Sequence, residues 1–99
     1  MDRDRSITLA FAEDDGRPVV VGDIDYAHAT LVQHWLESLG GGPLAVDLSG
    51  VVTFDVVALD VFLSAHASNP HLRITRPSGV VMRILEATGT VDVLMENRS

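Results

Sequence analysis

Leu44-Ala45-Val46-Asp47-Leu48-Ser49-Gly50-Val51-Val52-Thr53-Phe54-Asp55-Val56-Val57-Ala58-Leu59-Asp60-Val61-Phe62-Leu63 decides the fold. Residues 44–48 form a short apolar run, broken only by Asp47, and read as a buried strand. Residues 51–54 continue extended or as a loop. Asp55 then suits a helix N-cap, because its short carboxylate can accept from amides that the first turn leaves open. The helix it opens is expected over 56–67 and stops at Ser68-Asn69-Pro70.

Upstream, Gly40-Gly41-Gly42-Pro43 ends an earlier helix expected over 26–39, with Asp25 as its cap. Leu31, Trp35 and Leu39 recur at a spacing of four, with Val32 and Leu36 beside them, and make its buried stripe. Thr30, Gln33, His34 and Glu37 form the opposite face. Before it, a strand at 7–12, the turn Asp14-Asp15-Gly16 and the run Pro18-Val19-Val20-Val21 read as an antiparallel hairpin. Two strands joined through a helix pair in parallel. Downstream, a strand at 71–75, a helix at 80–87 stopped by Gly89 and a short strand at 91–95 complete the order. The expectation is one α/β domain over 7–99 behind a flexible tail at 1–6. Its mixed sheet has four to five strands, an antiparallel hairpin followed by parallel strands. About three helices pack mainly on one side.

Composition narrows function. The 99 residues suffice for one core and not for two. Cysteine is absent, which removes disulfides, thiolate metal sites and cysteine nucleophiles. Fourteen acidic residues against seven basic give a net charge of −7, which disfavours nucleic acid and anionic membrane surfaces. No apolar run reaches 18 residues and no secretory signal is visible, so the expected location is the cytoplasm, with no direct membrane insertion. The glycine triplet comes after a helix and lacks the residues of a phosphate-binding loop. The histidines His28, His34, His66 and His71 lack the i, i+4 spacing of a zinc pair. No serine sits in a Gly-x-Ser-x-Gly elbow. The chain is therefore read as a non-enzyme without cofactor or metal, and as a binding module.

The helix at 56–67 is apolar nearly all the way round. Leu59, Phe62 and Leu63 make an inward stripe. Val56, Val57 and Val61 lie on another flank, beside Asp60 and Ser64. Two readings stand: the helix is sandwiched and buried throughout, or that flank faces a partner.

Three segments resemble the STAS domains, the family of bacterial anti-sigma factor antagonists. Gly22-Asp23-Ile24-Asp25 before a helix is similar to the family's Gly-Glu-Leu-Asp. Asp47-Leu48-Ser49, with an apolar step to Asp55, is similar to its central signature. Pro77-Ser78, then Val81-Met82-Arg83-Ile84-Leu85-Glu86-Ala87-Thr88-Gly89, resembles its Val-x-Arg-Ile-Leu-Glu-x-Thr-Gly run. The resemblance implies a small mixed sheet with helices mainly on one side. It also implies a further C-terminal helix, which a chain ending at Ser99 is expected to lack or to keep very short.

The chain departs from the family at its switch. In the antagonists the Asp is followed by Ser-Ser-Gly or a close variant, and the second of these residues is phosphorylated by the anti-sigma kinase. Here the three positions are Val56, Val57 and Ala58, so Val57 stands where the hydroxyl would be. Ser49 and Thr53 are the only nearby substitutes. The resemblance implies an anti-sigma factor of the histidine-kinase-like ATPase type as partner. It would be met through Asp23, Asp25, Asp55, Val56, Val57, Asp60 and Val61, with the acids on a basic patch and the valines desolvated at the centre. The alternative is a STAS-type regulatory or structural subunit of a transporter or larger signalling complex, docking on an ATPase subunit or as a homodimer.

Overall fold

The hairpin forms where the turn signal lies. Asp15 and Gly16 both adopt positive φ (56° and 80°), the pair of left-handed residues that a two-residue hairpin loop requires. They join β1 (Leu9–Asp14) to β2 (Arg17–Ile24), which pair antiparallel from Leu9↔Gly22 to Asp14↔Arg17. The structure, a computed structural model, describes residues 9–95. The expected tail at 1–6 and the first residues of the expected strand, Ile7 and Thr8, lie outside it.

A 3-10 turn (Tyr26–His28) and α1 (Ala29–Ser38) carry the chain over to β3 (Leu44–Phe54), parallel to β2. Next come α2 (Val56–Ser68), β4 (Leu72–Thr75), α3 (Gly79–Thr88) and α4 (Val91–Leu94). The sheet order is β1-β2-β3-β4, with β4 parallel to β3 from Leu44↔Leu72 to Asp47↔Thr75. Among the described residues the sheet is thus a four-stranded mixed one, with an antiparallel hairpin followed by parallel strands.

Alternation along the strands sets the two faces. Val20 and Ile24, Val46 and Leu48, and Leu72 and Ile74 are buried on one side with Val32, Leu36, Leu59, Phe62, Val81 and Leu85 of the helices. On the other side Val21 and Val52 remain exposed. At Gly50 a Cβ would lie 3.0 Å from a Val21 methyl, a tight approach that the Val21 side chain would have to yield to by a few tenths of an ångström. Gly22, at φ 110°, precedes a register shift that turns the end of β2 toward Asp23.

Three expectations are corrected. The last segment is a helix, α4, not a strand. Gly89 in the left-handed region turns the chain, the amides of Val93 and Leu94 both donate to the Thr90 carbonyl, and Leu94 fills the core. Only Met95 pairs with the sheet, as a single parallel bridge to Ile74. The buried stripe of α1 centres on Val32 and Leu36, while Leu31 is 57% exposed. Trp35 is drawn aside to stack on Phe11 of β1, with centroids 4.6 Å apart. Finally, the helix expected over 26–39 is a 3-10 turn capped by Asp25 and then α1 from Ala29 to Ser38, while residues 51–54, read as extended or as a loop, are extended and continue β3 along β2 after β4 has ended.

Candidate partner-binding site

Parallel strands β2 and β3 end in step. Ile24 pairs with Phe54, both are buried, and the next residue on each strand is an aspartate. Each aspartate caps the helical turn that begins beside it. Asp25 accepts the amide N–H of His28 at 3.2 Å, and Asp55 accepts that of Ala58 at 2.9 Å, both at i+3. Their extended backbones, with ψ of −175° in both cases, suit the capping position.

The second bond of each differs. The Asp25 carboxylate also takes the Nδ1 of the His28 ring, at 2.7 Å. That ring bond, aided by the His28 charge, holds the Asp25 carboxyl below its ordinary value of 3.8, against a smaller opposing desolvation. Asp55 instead reaches across with Oδ2, 3.0 Å from the amide of Tyr26, which donates to it. One carboxylate therefore caps α2 and fastens the turn at the end of β2.

This fastening sets the surface. Val56 and Val57, the first two residues of α2, are 66% and 40% exposed, and Tyr26 is 79% exposed. Asp23 is half-buried at the end of β2, in register with exposed Thr53, and Asp60 is exposed one turn along α2 from Val56. The result is an exposed apolar group on the first turn of α2 and the adjoining turn, with Asp23, Asp25 and Asp60 around it. Among the described residues the ion pairs are His28–Asp25 and Arg76–Asp47, and neither Asp23 nor Asp60 takes part in one.

Val61 does not join this group. It is 7% exposed and sits in the core with Ala58, Leu59 and Phe62. The flank is therefore split: Val56 and Val57 face solvent with Asp60, while Val61 is buried with Ala58, Leu59 and Phe62. Asp55 is committed to two internal amides, so it organises the surface instead of offering a free charge. Tyr26, legible in the sequence only as the start of a helix, is the exposed residue of this group that sequence reasoning missed. Its exposure depends on a 3-10 turn and on a bond spanning 29 positions, for which the local pattern holds no signal.

Of the substitute hydroxyls, Thr53 lies exposed beside Asp23, and Ser49 lies elsewhere. The Ser49 hydroxyl donates to Asp47 Oδ1 at 2.7 Å, and its amide donates to the same oxygen at 2.8 Å. Asp47 is buried and holds Arg76 Nε at 3.3 Å. A groove of about 340 Å³ lined by Leu36, Glu37, Ala65, Asn69 and Leu72 lies at the far end of α2 and holds none of the site residues. No helix of the described residues is long and apolar enough to cross a membrane.

No protein-family model matches the chain, and no curated protein matches it either. Among solved structures the chain is similar to an anti-sigma factor antagonist from Mycobacterium paratuberculosis, with a TM-score of 0.72 and 23% identity over 90% of this chain and 83% of that one. At that identity the likeness is one of fold. With its four-stranded mixed sheet and its helices, the chain carries a STAS-like fold.

Proposed function

We propose that this chain is an anti-sigma factor antagonist-like binding module. It engages an anti-sigma factor of the histidine-kinase-like ATPase type through the 22–25 loop and the first turn of α2. By sequestering that factor it releases a sigma factor, through mass action and without catalysis. One observation carries the reading: Val56 and Val57 stand exposed on the first turn of α2, between the capping Asp55 and exposed Asp60, on a fold shared with a known antagonist. Apolar groups in solvent beside unpaired charges suit an interface with a desolvated centre and a charged rim.

The module lacks a phosphorylation switch at its centre. Residues 55–61 contain no Ser, Thr or Tyr. A hydroxyl at position 57 would lie in the first turn of α2, where open amides and the helix dipole tolerate phosphate. Phosphorylation there would act on the complex more than on the fold. Valine provides no acceptor, so binding depends on concentration alone.

The test is calorimetric titration of the purified chain with the kinase-like anti-sigma factors of its source organism, each expressed singly. At least one should bind. Val57→Asp should abolish that binding while its thermal melt stays close to wild type. Incubation with the bound factor and ATP, then phosphopeptide mapping, should leave 55–61 unmodified, whereas Val57→Ser should be phosphorylated and released. Stoichiometric phosphate on Ser49 or Thr53 of the wild type, with loss of binding, would show a relocated switch.

A further inference from the structure

Tyr26 joins two properties that rarely coincide. Its side chain is the most exposed large apolar group among the described residues, at 79%. Its backbone is held on both sides: the amide donates to Asp55 Oδ2 at 3.0 Å, and the carbonyl accepts from the amide of Ala29. Asp25 closes the same turn by capping it at His28. A ring with two rotatable torsions on a fixed backbone loses little freedom when it is buried by a partner.

The charge around it selects the occupant. Asp23, Asp25 and Asp60 lie on the surrounding elements, and the chain contains no lysine and a net charge of −7. A second copy would oppose the same acids to one another, which is unfavourable in any isologous contact. A basic partner gains on both counts, because guanidinium groups pair with the aspartates and stack over the phenol ring.

We infer that Tyr26 is the aromatic anchor of this surface, received by an apolar socket rimmed with arginine or lysine on a different protein, and that this face does not self-associate. The inference rests on the anti-sigma reading for the identity of that protein, and it adds an anchor and a rim chemistry to it. Asp55 acts as a positioning residue, fixing the anchor beside Val56.

The experiment titrates wild type, Tyr26→Ala and Tyr26→Phe with the purified anti-sigma factor at low and high salt, and sediments each variant alone at high concentration. Tyr26→Ala should lose about 30-fold in affinity, as truncated hot-spot aromatics do, while Tyr26→Phe keeps most of it. Raising the salt should weaken wild-type binding several-fold. Each variant alone should sediment as a monomer, with an unchanged melt. Affinity of Tyr26→Ala within about 3-fold of wild type, set against the hot-spot loss, overturns the anchor while leaving the anti-sigma reading intact. Salt-independent binding overturns the basic rim. A wild-type dimer abolished by Tyr26→Ala overturns the choice of occupant. Absence of wild-type binding to every anti-sigma factor overturns the functional reading, and the anchor with it.

Discussion

Two turns lie side by side at the ends of β2 and β3, and they begin alike. Each starts from a buried residue, Ile24 or Phe54, places an aspartate next, and uses it to cap a helical turn at i+3. They part at the second hydrogen bond. Asp25 makes it locally, with the His28 ring three residues on. Asp55 sends it to Tyr26, 29 residues back. The same residue type in the same local setting is thus an electrostatic closure in one turn and a crosslink between segments in the other. Only the second fixes the relative placement of Tyr26 and Val56. Local capping rules identify both aspartates, whereas their division of labour is tertiary.

The largest break removes the scaffold both turns stand on. Val61 lies in the second turn of α2, inside the core, so Val61→Asp buries a charge among Ala58, Leu59 and Phe62. The expected loss is about 4 kcal/mol or more, enough to unfold much of the population of a domain this size. Thermal unfolding monitored by circular dichroism measures it. A cooperative melt near the wild-type temperature would place Val61 on the surface after all.

The difference between Val57 and Val61 shows what the sequence conveys and what it does not. Both belong to one apolar stretch, and helical spacing puts them on one flank. Burial depends on where α1 and the sheet end, and that is set by pairings remote in sequence. The elements themselves are largely legible. Asp-Gly in the turn, Asp55 at its cap and Gly89 at the end of α3 are local chemistry, and the structure agrees with each, whereas Asp25 caps a 3-10 turn and not α1 itself. Val91 and Val93 read as a strand because β-branched residues alternate there. Leu94 instead finds a core vacancy that a helical turn can reach. The paired acids of the candidate site are visible as caps and charges. Tyr26 is not, because its placement requires the ends of β2 and β3 to be in register.

A smaller change sharpens the contrast between the turns. Asp55→Ala removes a cap and the bond to Tyr26 together, and should cost about 2 kcal/mol in chemical denaturation. Asp25→Ala should cost less, since the bonds it removes are confined to its own turn. Hydrogen exchange separates the two cases further. In Asp55→Ala the Tyr26 amide should exchange markedly faster, and in Asp25→Ala it should keep most of its protection. Equal exchange of that amide in wild type and Asp55→Ala would dissolve the crosslink.

The third strand-to-helix turn offers a control. Ser78 precedes α3 as Asp55 precedes α2, yet its hydroxyl makes no capping bond and is buried without a partner. Its amide instead donates to the Leu48 carbonyl at 3.1 Å, clamping the turn to β3 through the backbone. An N-cap serine replaced by alanine ordinarily costs about 1 kcal/mol. Here Ser78→Ala removes an unsatisfied buried hydroxyl and keeps the amide, so stability should stay level or rise slightly. A loss as large as an ordinary cap would mean that the hydroxyl is bonded in solution.

The smallest effect expected belongs to Asp25 and is read against pH. The His28 ring favours its ionised carboxylate in the folded chain, so its folded pKa lies below the ordinary 3.8. The folded chain therefore binds the proton less tightly than the unfolded chain does. The resulting contribution is complete above the ordinary value and is lost as pH falls through the folded one. Other carboxylates titrate nearby, so the informative quantity is the difference between wild type and Asp25→Asn. That difference should be fully present at about pH 5 and should shrink below about 4, where wild-type Asp25 is itself being protonated. The residue is solvent-accessible, so salt should reduce the effect further. Asp55→Asn is no equivalent control, because the amides of Ala58 and Tyr26 go to different oxygens of the carboxylate and asparagine offers a single acceptor oxygen, its NH2 facing the other N–H. If the Asp25→Asn difference is flat through the acid range, the His28 contact leaves the carboxylate unperturbed, and the two turns differ only in the reach of their hydrogen bonds.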